Sequence, residues 1–379
     1  MSKIRVMSVF GTRPEAIKMA PVVRELARRE QFESLVCVTA QHREMLDQVL
    51  SLFGIRPDVD LNLMRPGQSL AGLTASIFEK LDPVFARFQP DWVLVQGDTT
   101  TVMAAALLAY YHRIQVGHVE AGLRTGDKWQ PFPEEINRRV AGVAADLHFA
   151  PTEVSRQNLL REGVPGDKVA VTGNTVIDAL LHAAAQPYDM TTGPLAGLPL
   201  DRRIILVTAH RRENFGAPFE DLCHGLRDVA ERFGPSTQIV YPVHLNPNVQ
   251  EPVRRILSGV ENISLLPPLD YLPMVHLMKR ATLVLTDSGG LQEEAPGLGK
   301  PVLVMREVTE RPEGVAAGVA KLLGTNPQRI FDEVHRLLTD EAAYRAMVGV
   351  KNPYGDGHAA RYIVDAIECW QQQRSRKRA

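Results

Sequence analysis

Strand-like apolar runs alternate with helix-like segments along the whole chain. In the first half the runs at Arg5–Phe10, Leu35–Thr39, Trp92–Gln96, Gln115–Val119 and Val169–Thr172 read as strands. The segments Pro14–Arg29, Leu70–Phe88, Thr100–His112 and Glu134–Ala145 read as helices between or after them. This βαβ rhythm predicts a parallel sheet covered by helices on both faces. The stretch AAAQPYDMTTGPLAGLPLD, residues 183–201, interrupts it with Pro, Gly and Thr and reads as an interdomain linker. The alternation resumes with strands at Arg203–Thr208, Gln238–Tyr241, Leu283–Thr286 and Pro301–Val304. The expected fold is α/β, with two Rossmann-like, doubly wound parallel-sheet domains facing a cleft.

Open α/β sheets bind ligands at the carboxyl ends of their strands, and polar residues follow the strands here. The run LVLTDSGGLQEE, Leu283–Glu294, reads as a buried strand, a Ser288-Gly289-Gly290 turn and a helix start. Glycines allow close approach of a ligand, and free N–H groups of a helix's first turn hold anions. Glu294, one turn on, offers a hydroxyl acceptor, so the stretch suits a nucleotide diphosphate. An ordinary strand-to-helix turn would carry the same glycines. After the first strand comes Gly11-Thr12-Arg13-Pro14-Glu15, then Lys18. Arg13 and Lys18 are placed to face an anion, although a surface role for Lys18 is equally ordinary. Only one glycine of the dinucleotide fingerprint is present.

Asp98 and Glu120 each follow a strand, and Glu134-Glu135 opens a helix. Helix starts favour acids by ~0.3–1 kcal/mol, which accounts for one member of that pair. Clustered carboxylates repel one another and lose solvation, which prepares one to hold a proton for acid–base chemistry. Arg138, one turn after Glu134, can hold a carboxylate charged or bind phosphate. In the second half, Arg203–Thr208 runs into His210-Arg211-Arg212, and Gln238–Tyr241 leads to His244. Histidine and arginine at a strand end suit phosphate binding or protonation of a leaving group.

Composition narrows the classes. The 379 residues carry a formal net charge of −1, with no electrostatic footprint for nucleic acid. No apolar run is long enough to span a bilayer, and MSKIRVMSVF enters a strand directly without a signal-peptide pattern. The three cysteines, Cys37, Cys223 and Cys369, form no CxxC pair, so no disulfide framework or zinc ribbon is indicated. A cytoplasmic protein is expected. Asp98, Glu120 and Glu134 have the oxygen donors that magnesium takes, but Arg13, Lys18 and His210 already supply positive charge, so no metal is expected. Gly297-Leu298-Gly299-Lys300 is not a P-loop, because Glu294 replaces its first glycine; GxSxG and HExxH are absent.

The motifs GTRPEAIKMAP (Gly11–Pro21), QGDTTT (Gln96–Thr101), HVEAGLRTG (His118–Gly126), FPEEINRR (Phe132–Arg139), VTAHRREN (Val207–Asn214), LTDSGGLQEEAPGLGKPVLVMREVTERPE (Leu285–Glu313) and NPYGDG (Asn352–Gly357) occur in this order. In these motifs the chain resembles the non-hydrolysing UDP-N-acetylglucosamine 2-epimerases of bacteria. The likeness runs from residue 4 to beyond residue 358. It implies the GT-B pair of Rossmann-like domains, one over 1–180 and a UDP-binding one over 181–356, with a helix over 357–375 packing back on the first. It implies a homodimer that interconverts UDP-GlcNAc and UDP-ManNAc without a cofactor, through elimination of UDP to 2-acetamidoglucal and re-addition, supplying surface polysaccharide.

By motif match, Asp98, Glu120, Glu134, Arg138 and His210 correspond to the family's catalytic set. Arg13 and the Ser288-Gly289-Gly290 turn would stabilise the departing diphosphate, and Lys18, Glu294 and Arg311 match nucleotide-contacting positions. Which carboxylate is base and which is acid stays open. Gln41, Arg211 and His244 match positions of a second, activating UDP-GlcNAc site, whereas Glu44 and Gly67 depart from it. A retaining glycosyltransferase, a hydrolysing epimerase, an epimerase of diacetamido uronic acid nucleotides and a non-catalytic nucleotide-sugar sensor are the rival readings.

Overall fold

The computed structural model describes residues 3–39, 43–63, 65 and 67–378. The chain forms two compact units, one of residues 1–179 and 355–379, the other of residues 180–354. It therefore passes from one unit to the other twice.

In the first unit the strands are β1 (Ile4–Phe10), β2 (Phe32–Val38), β3 (Val59–Asp60), β4 (Trp92–Gln96), β5 (Gln115–Val119), β6 (Leu147–Ala150) and β7 (Val169–Val171). Among the described residues they form a seven-stranded parallel sheet in the order β3-β2-β1-β4-β5-β6-β7. The second unit has β8 (Arg203–Thr208), β9 (Thr237–Pro242), β10 (Ile263–Leu266), β11 (Leu283–Thr286), β12 (Val302–Val304) and β13 (Ala320–Leu322). These make a six-stranded parallel sheet, β10-β9-β8-β11-β12-β13. Both are Rossmann-like. In each, strand order reverses beside the unit's first strand, between β1 and β4 and between β8 and β11, and such reversals open a crevice at the strands' carboxyl ends.

The apolar runs are continuous because both faces of each sheet are covered. Trp92–Val95 and Ile204–Val207 have no exposed surface. Ala104, Ala105, Ala106 and Ala109 of helix Thr100–Tyr111 are fully buried in the first core. The second core is built on Phe219, Leu222 and Leu226 of helix Ala217–Phe233. Fully burying one such large side chain contributes roughly 1.5–3 kcal/mol. No described helix is long and apolar enough to cross a membrane.

Several elements differ from the sequence reading. β2 begins at Phe32, ahead of the expected Leu35, because Phe32 is buried and pairs with Ile4. β3, β6, β10 and β13, of two to four residues each, were not expected. The segment 183–201 is not a free linker. Helix Thr175–Ala185 runs into it, and Leu195 is fully buried within the second unit.

Candidate active site

At the strand reversal of the first unit, the turns after β1 and β4 are joined by a buried carboxylate. Thr12 caps helix Arg13–Arg28, and Glu15 completes the capping box. One Glu15 oxygen accepts the N–H groups of Gly11 at 3.1 Å and Thr12 at 2.7 Å; the other accepts the Thr99 hydroxyl at 2.8 Å. Thr99 in turn caps helix Thr100–Tyr111. Burial raises the Glu15 pKa, and these hydrogen bonds oppose the rise. The sequence reading gave Glu15 no role, although Thr12-x-x-Glu15 is a capping-box signature visible in sequence. Gly11 is required by space: a Cβ there would lie 1.9 Å from Thr39 Oγ1.

Glu120 follows β5 and adopts φ +61, the left-handed region that is costly for a residue with a Cβ. Gly122 follows at φ +91, where a Cβ would lie 2.2 Å from the Ser155 carbonyl oxygen. This turn brings the largely buried Glu120 carboxylate among donors. Lys18 Nζ reaches its two oxygens at 2.6 and 2.7 Å, Asn174 Nδ2 donates at 2.8 Å, and Gln96 Nε2 donates to it as well. Lys18, expected to face an anion of the substrate, thus has its ammonium on Glu120; helix Arg13–Arg28 carries it over the end of β5.

Asp98 follows Gly97, which has φ +79. Its carboxylate lies 2.6 Å from Arg138 Nη2, and its carbonyl accepts Asn137 Nδ2 at 2.9 Å. Burial raises its pKa; Arg138 and Lys18 pull it down, while Glu120 and Glu134 push it further up. The turn rests on His118, whose Nε2 donates to the Gly97 carbonyl at 2.7 Å. Burial keeps this imidazole neutral, with its pKa pushed down to about 4. The two acids of the Glu134-Glu135 pair divide. Glu135 is fully buried, accepts the Thr125 N–H at 3.2 Å and pairs with Arg138 and Arg139. Glu134 keeps a buried Oε2 without a hydrogen-bond partner among the described residues. Asp98, Glu120, Glu134, Arg138 and Lys18 thus belong to one electrostatic cluster. Arg13 opens helix Arg13–Arg28 at this same edge.

In the second unit, Asp287 follows β11 and has no exposed surface. Its Oδ2 accepts the backbone N–H groups of His210 and Arg211, both at 2.8 Å, which ties the turn after β8 to the turn after β11. Its Oδ1 is 3.7 Å from His210 Nδ1. The His210 ring stacks on His244 with centroids 5.2 Å apart. Burial lowers the His210 pKa, Asp287 opposes this, and His244 and Arg211 reinforce it. Ser288 is the N-cap of helix Gly289–Gly297 without a side-chain cap bond. A Cβ at Gly289 would lie 3.7 Å from Arg211 Nη2, and one at Gly290 would lie 3.4 Å from Glu294 Oε1. The glycines therefore leave this helix start bare beside a guanidinium and a carboxylate, as an anion with neighbouring hydroxyls requires. Arg311 is ion-paired with the buried Glu293, and the Tyr354 hydroxyl donates to the Arg311 carbonyl at 3.1 Å.

Of the second-site positions, Gln41 lies outside the described residues, as does the side chain of Glu44. Gly67 has φ +69 and open space around it. Among the described residues, no three His, Cys, Asp or Glu side chains are grouped to hold a metal ion.

A family model described as UDP-N-acetylglucosamine 2-epimerase matches residues 24–368. The chain belongs to this family. It is 59% identical over 373 residues to the UDP-N-acetylglucosamine 2-epimerase of Yersinia pestis, covering 96% of this chain and 98% of that protein. It is similar to the crystal structure of UDP-GlcNAc 2-epimerase from Neisseria meningitidis bound to UDP-GlcNAc, with TM-score 0.86 and 49% identity, covering 96% of this chain and 99% of the other. It is also similar to the Methanocaldococcus jannaschii UDP-GlcNAc 2-epimerase in complex with UDP-GlcNAc and UDP, with TM-score 0.78 and 32% identity over 96% of this chain and 99% of that one.

Proposed function

We propose that this enzyme interconverts UDP-GlcNAc and UDP-ManNAc by elimination and re-addition of UDP. The observation that carries the reading is the carboxylate cluster of Asp98, Glu120 and Glu134, held by Lys18 and Arg138 at the first sheet's strand reversal. The C2–H bond of the sugar is only weakly acidic. A carboxylate takes this proton while the C1–O bond breaks, and UDP departs with the bonding electron pair. The C2–H electrons form a C1=C2 double bond, giving 2-acetamidoglucal. UDP then re-adds at C1 while a carboxyl group delivers a proton to the other face of C2. Burial raises the Asp98 pKa against the pull of Arg138, the direction in which acid–base carboxyl groups are tuned.

The departing diphosphate gains charge, which cationic side chains and free backbone N–H groups offset. His210, set by Asp287, and the bare helix start at Ser288-Gly289-Gly290 beside Arg211 are the proposed stabilisers. Arg13, Lys18, Glu294 and Arg311 are proposed to contact the nucleotide sugar, Lys18 also through its bond to Glu120. Gln41, Arg211 and His244 are the proposed elements of an activating second nucleotide-sugar site. The enzyme is proposed to work as a cytoplasmic homodimer, without metal or redox cofactor, and to supply ManNAc for surface polysaccharide.

The deciding experiment is an NMR time course with UDP-GlcNAc in deuterated water. The expected result is an equilibrium mixture with UDP-ManNAc, with deuterium at C2. Turnover without C2 exchange would sink the elimination route.

A further inference from the structure

The Glu120 carboxylate accepts hydrogen bonds from the side chains of Lys18, Asn174 and Gln96. Asn174 and Gln96, both buried, supply two of them, and neither was a candidate from sequence. Asn174 has a defined orientation, because its Oδ1 accepts the Val176 N–H at 3.1 Å in the turn that starts helix Thr175–Ala185. Its Nδ2 is thereby committed to Glu120. Gln96 is the last residue of β4, two residues before Asp98, and a carboxylate can only accept from its amide. The two amides approach Glu120 from different elements, and Lys18 approaches from a third. Together they hold in place a side chain whose backbone sits in the left-handed region.

We propose that Gln96 and Asn174 are positioning residues of the epimerisation, whose amide N–H groups keep the Glu120 carboxylate charged and fixed for proton abstraction at C2. The assignment rests on the epimerase reading given above. It gives the neighbouring carboxylates different tasks. Glu120, with donors on both oxygens, is the proton acceptor. Asp98, paired with Arg138 and pushed up by burial and by Glu120, is the group able to return a proton. Hydrogen bonds to the charged form favour that form, so losing them shifts the base toward protonation.

Asn174→Asp is the informative variant. It keeps an oxygen for the Val176 N–H and so keeps the helix start. It replaces the donor to Glu120 with a carboxylate oxygen. Gln96→Met removes the other donor without adding charge. Three readouts apply: the pH dependence of kcat, the UDP affinity by calorimetry, and the melting temperature.

For Asn174→Asp, kcat is expected to fall about 10²-fold, the scale of a lost proton-transfer role. The acidic limb of the kcat profile should move up by about one pH unit or more. UDP affinity should stay near that of the parent enzyme. Gln96→Met should move the same limb in the same direction by less. Parent-like kcat and limb in both variants would overturn the proposal. So would a limb that stays in place while kcat, UDP affinity and melting temperature fall together, which is a folding defect. If the parent chain itself shows no C2 deuterium exchange, the epimerase reading fails and this assignment falls with it. Parent exchange with parent-like variants overturns the positioning role alone.

Discussion

The two units share one strand order and one device, but they place that device on opposite sides of the strand reversal. In each, a buried carboxylate ties the turn after the first strand to the turn after the fourth. In the first unit Glu15 comes from the helix after β1 and reaches across to Thr99. In the second, Asp287 ends β11 and reaches back to the N–H groups of His210 and Arg211. The consequence differs. In the first unit the tie leaves strand ends to Asp98 and Glu120, so the edge carries acids balanced by Lys18 and Arg138. In the second it leaves the helix start at Gly289 bare and holds a histidine and an arginine beside it. One backbone plan thus carries ion-paired acids at the strand ends of one unit and a histidine and an arginine beside a bare helix start in the other, and the side chains at the turns make the difference.

The largest test of this division is chemical. Asp98→Asn, Glu120→Gln and Glu134→Gln should each lower kcat by ~10²-fold or more, with UDP affinity near that of the parent enzyme. Steady-state kinetics and UDP calorimetry on the same preparations check it. A loss of UDP binding to match would erase the distinction between the units.

Acid stability should separate them next. His118 and His148 are buried in the first sheet, and burial lowers their pKa values to about 4 and about 3. A histidine neutral in the fold contributes its full stability above its unfolded value near 6.5, and that stability is lost as pH falls toward the folded value. At pH 5 each should cost the fold about 2 kcal/mol relative to pH 7. His148→Phe, at a ring whose Nδ1 has no hydrogen-bond partner among the described residues, should flatten the fall of melting temperature between pH 7 and pH 5. An unchanged pH slope would show that this ring does not govern acid stability.

Much of this contrast was legible in the sequence, and the reasons for the rest are local. Asp98, Glu120 and His210 could be found because each follows an apolar run long enough to read as a strand. The strands β3, β6, β10 and β13 were missed, and pairing with a neighbouring strand is what defines them. Glu15 carried a readable capping signature, but its bond to Thr99 spans 84 residues and exists only in the fold. Asp287, Gln96 and Asn174 look like turn or strand-end residues; their importance lies in what they touch. Gly289 and Gly290 were expected to bring backbone close to a ligand; what the fold adds is that a Cβ at these positions would face Arg211 and Glu294, which the sequence does not place there.

A smaller effect should appear at the second unit's helix start. Gly290→Val fills the space next to Glu294 and should weaken UDP binding by about tenfold, or ~1.4 kcal/mol. Isothermal calorimetry with UDP reads this directly. Equal UDP affinity in the variant would move the diphosphate away from this turn.

The smallest expected effect has the opposite sign to that of the histidines. Asp178 accepts the N–H groups of Ala359 and Ala360 at 3.2 and 2.9 Å, and burial pushes its pKa up to about 6. A carboxyl raised in the fold takes up its proton there first, so its contribution grows as pH falls from about 6 toward 3.8. Between pH 7 and pH 5 this should return about 1 kcal/mol. Asp178→Asn should therefore make the parent's acid loss steeper in pH-dependent melting curves. A shallower loss would reverse the assignment.

Helix Ala359–Arg378 belongs to the first unit although the whole second unit precedes it in the chain. Ile363, Val364 and Ile367 are fully buried, Trp370 meets Trp92 edge-on, and Arg29 bonds Asp365 at 2.7 Å. A protease that cuts the exposed Thr191–Gly193 stretch should therefore release no fragment. The downstream piece ends in a segment that is already part of the upstream piece's interior. The nicked protein should show two bands in denaturing gels and one particle in native ones, so the enzyme could be produced as two complementing polypeptides.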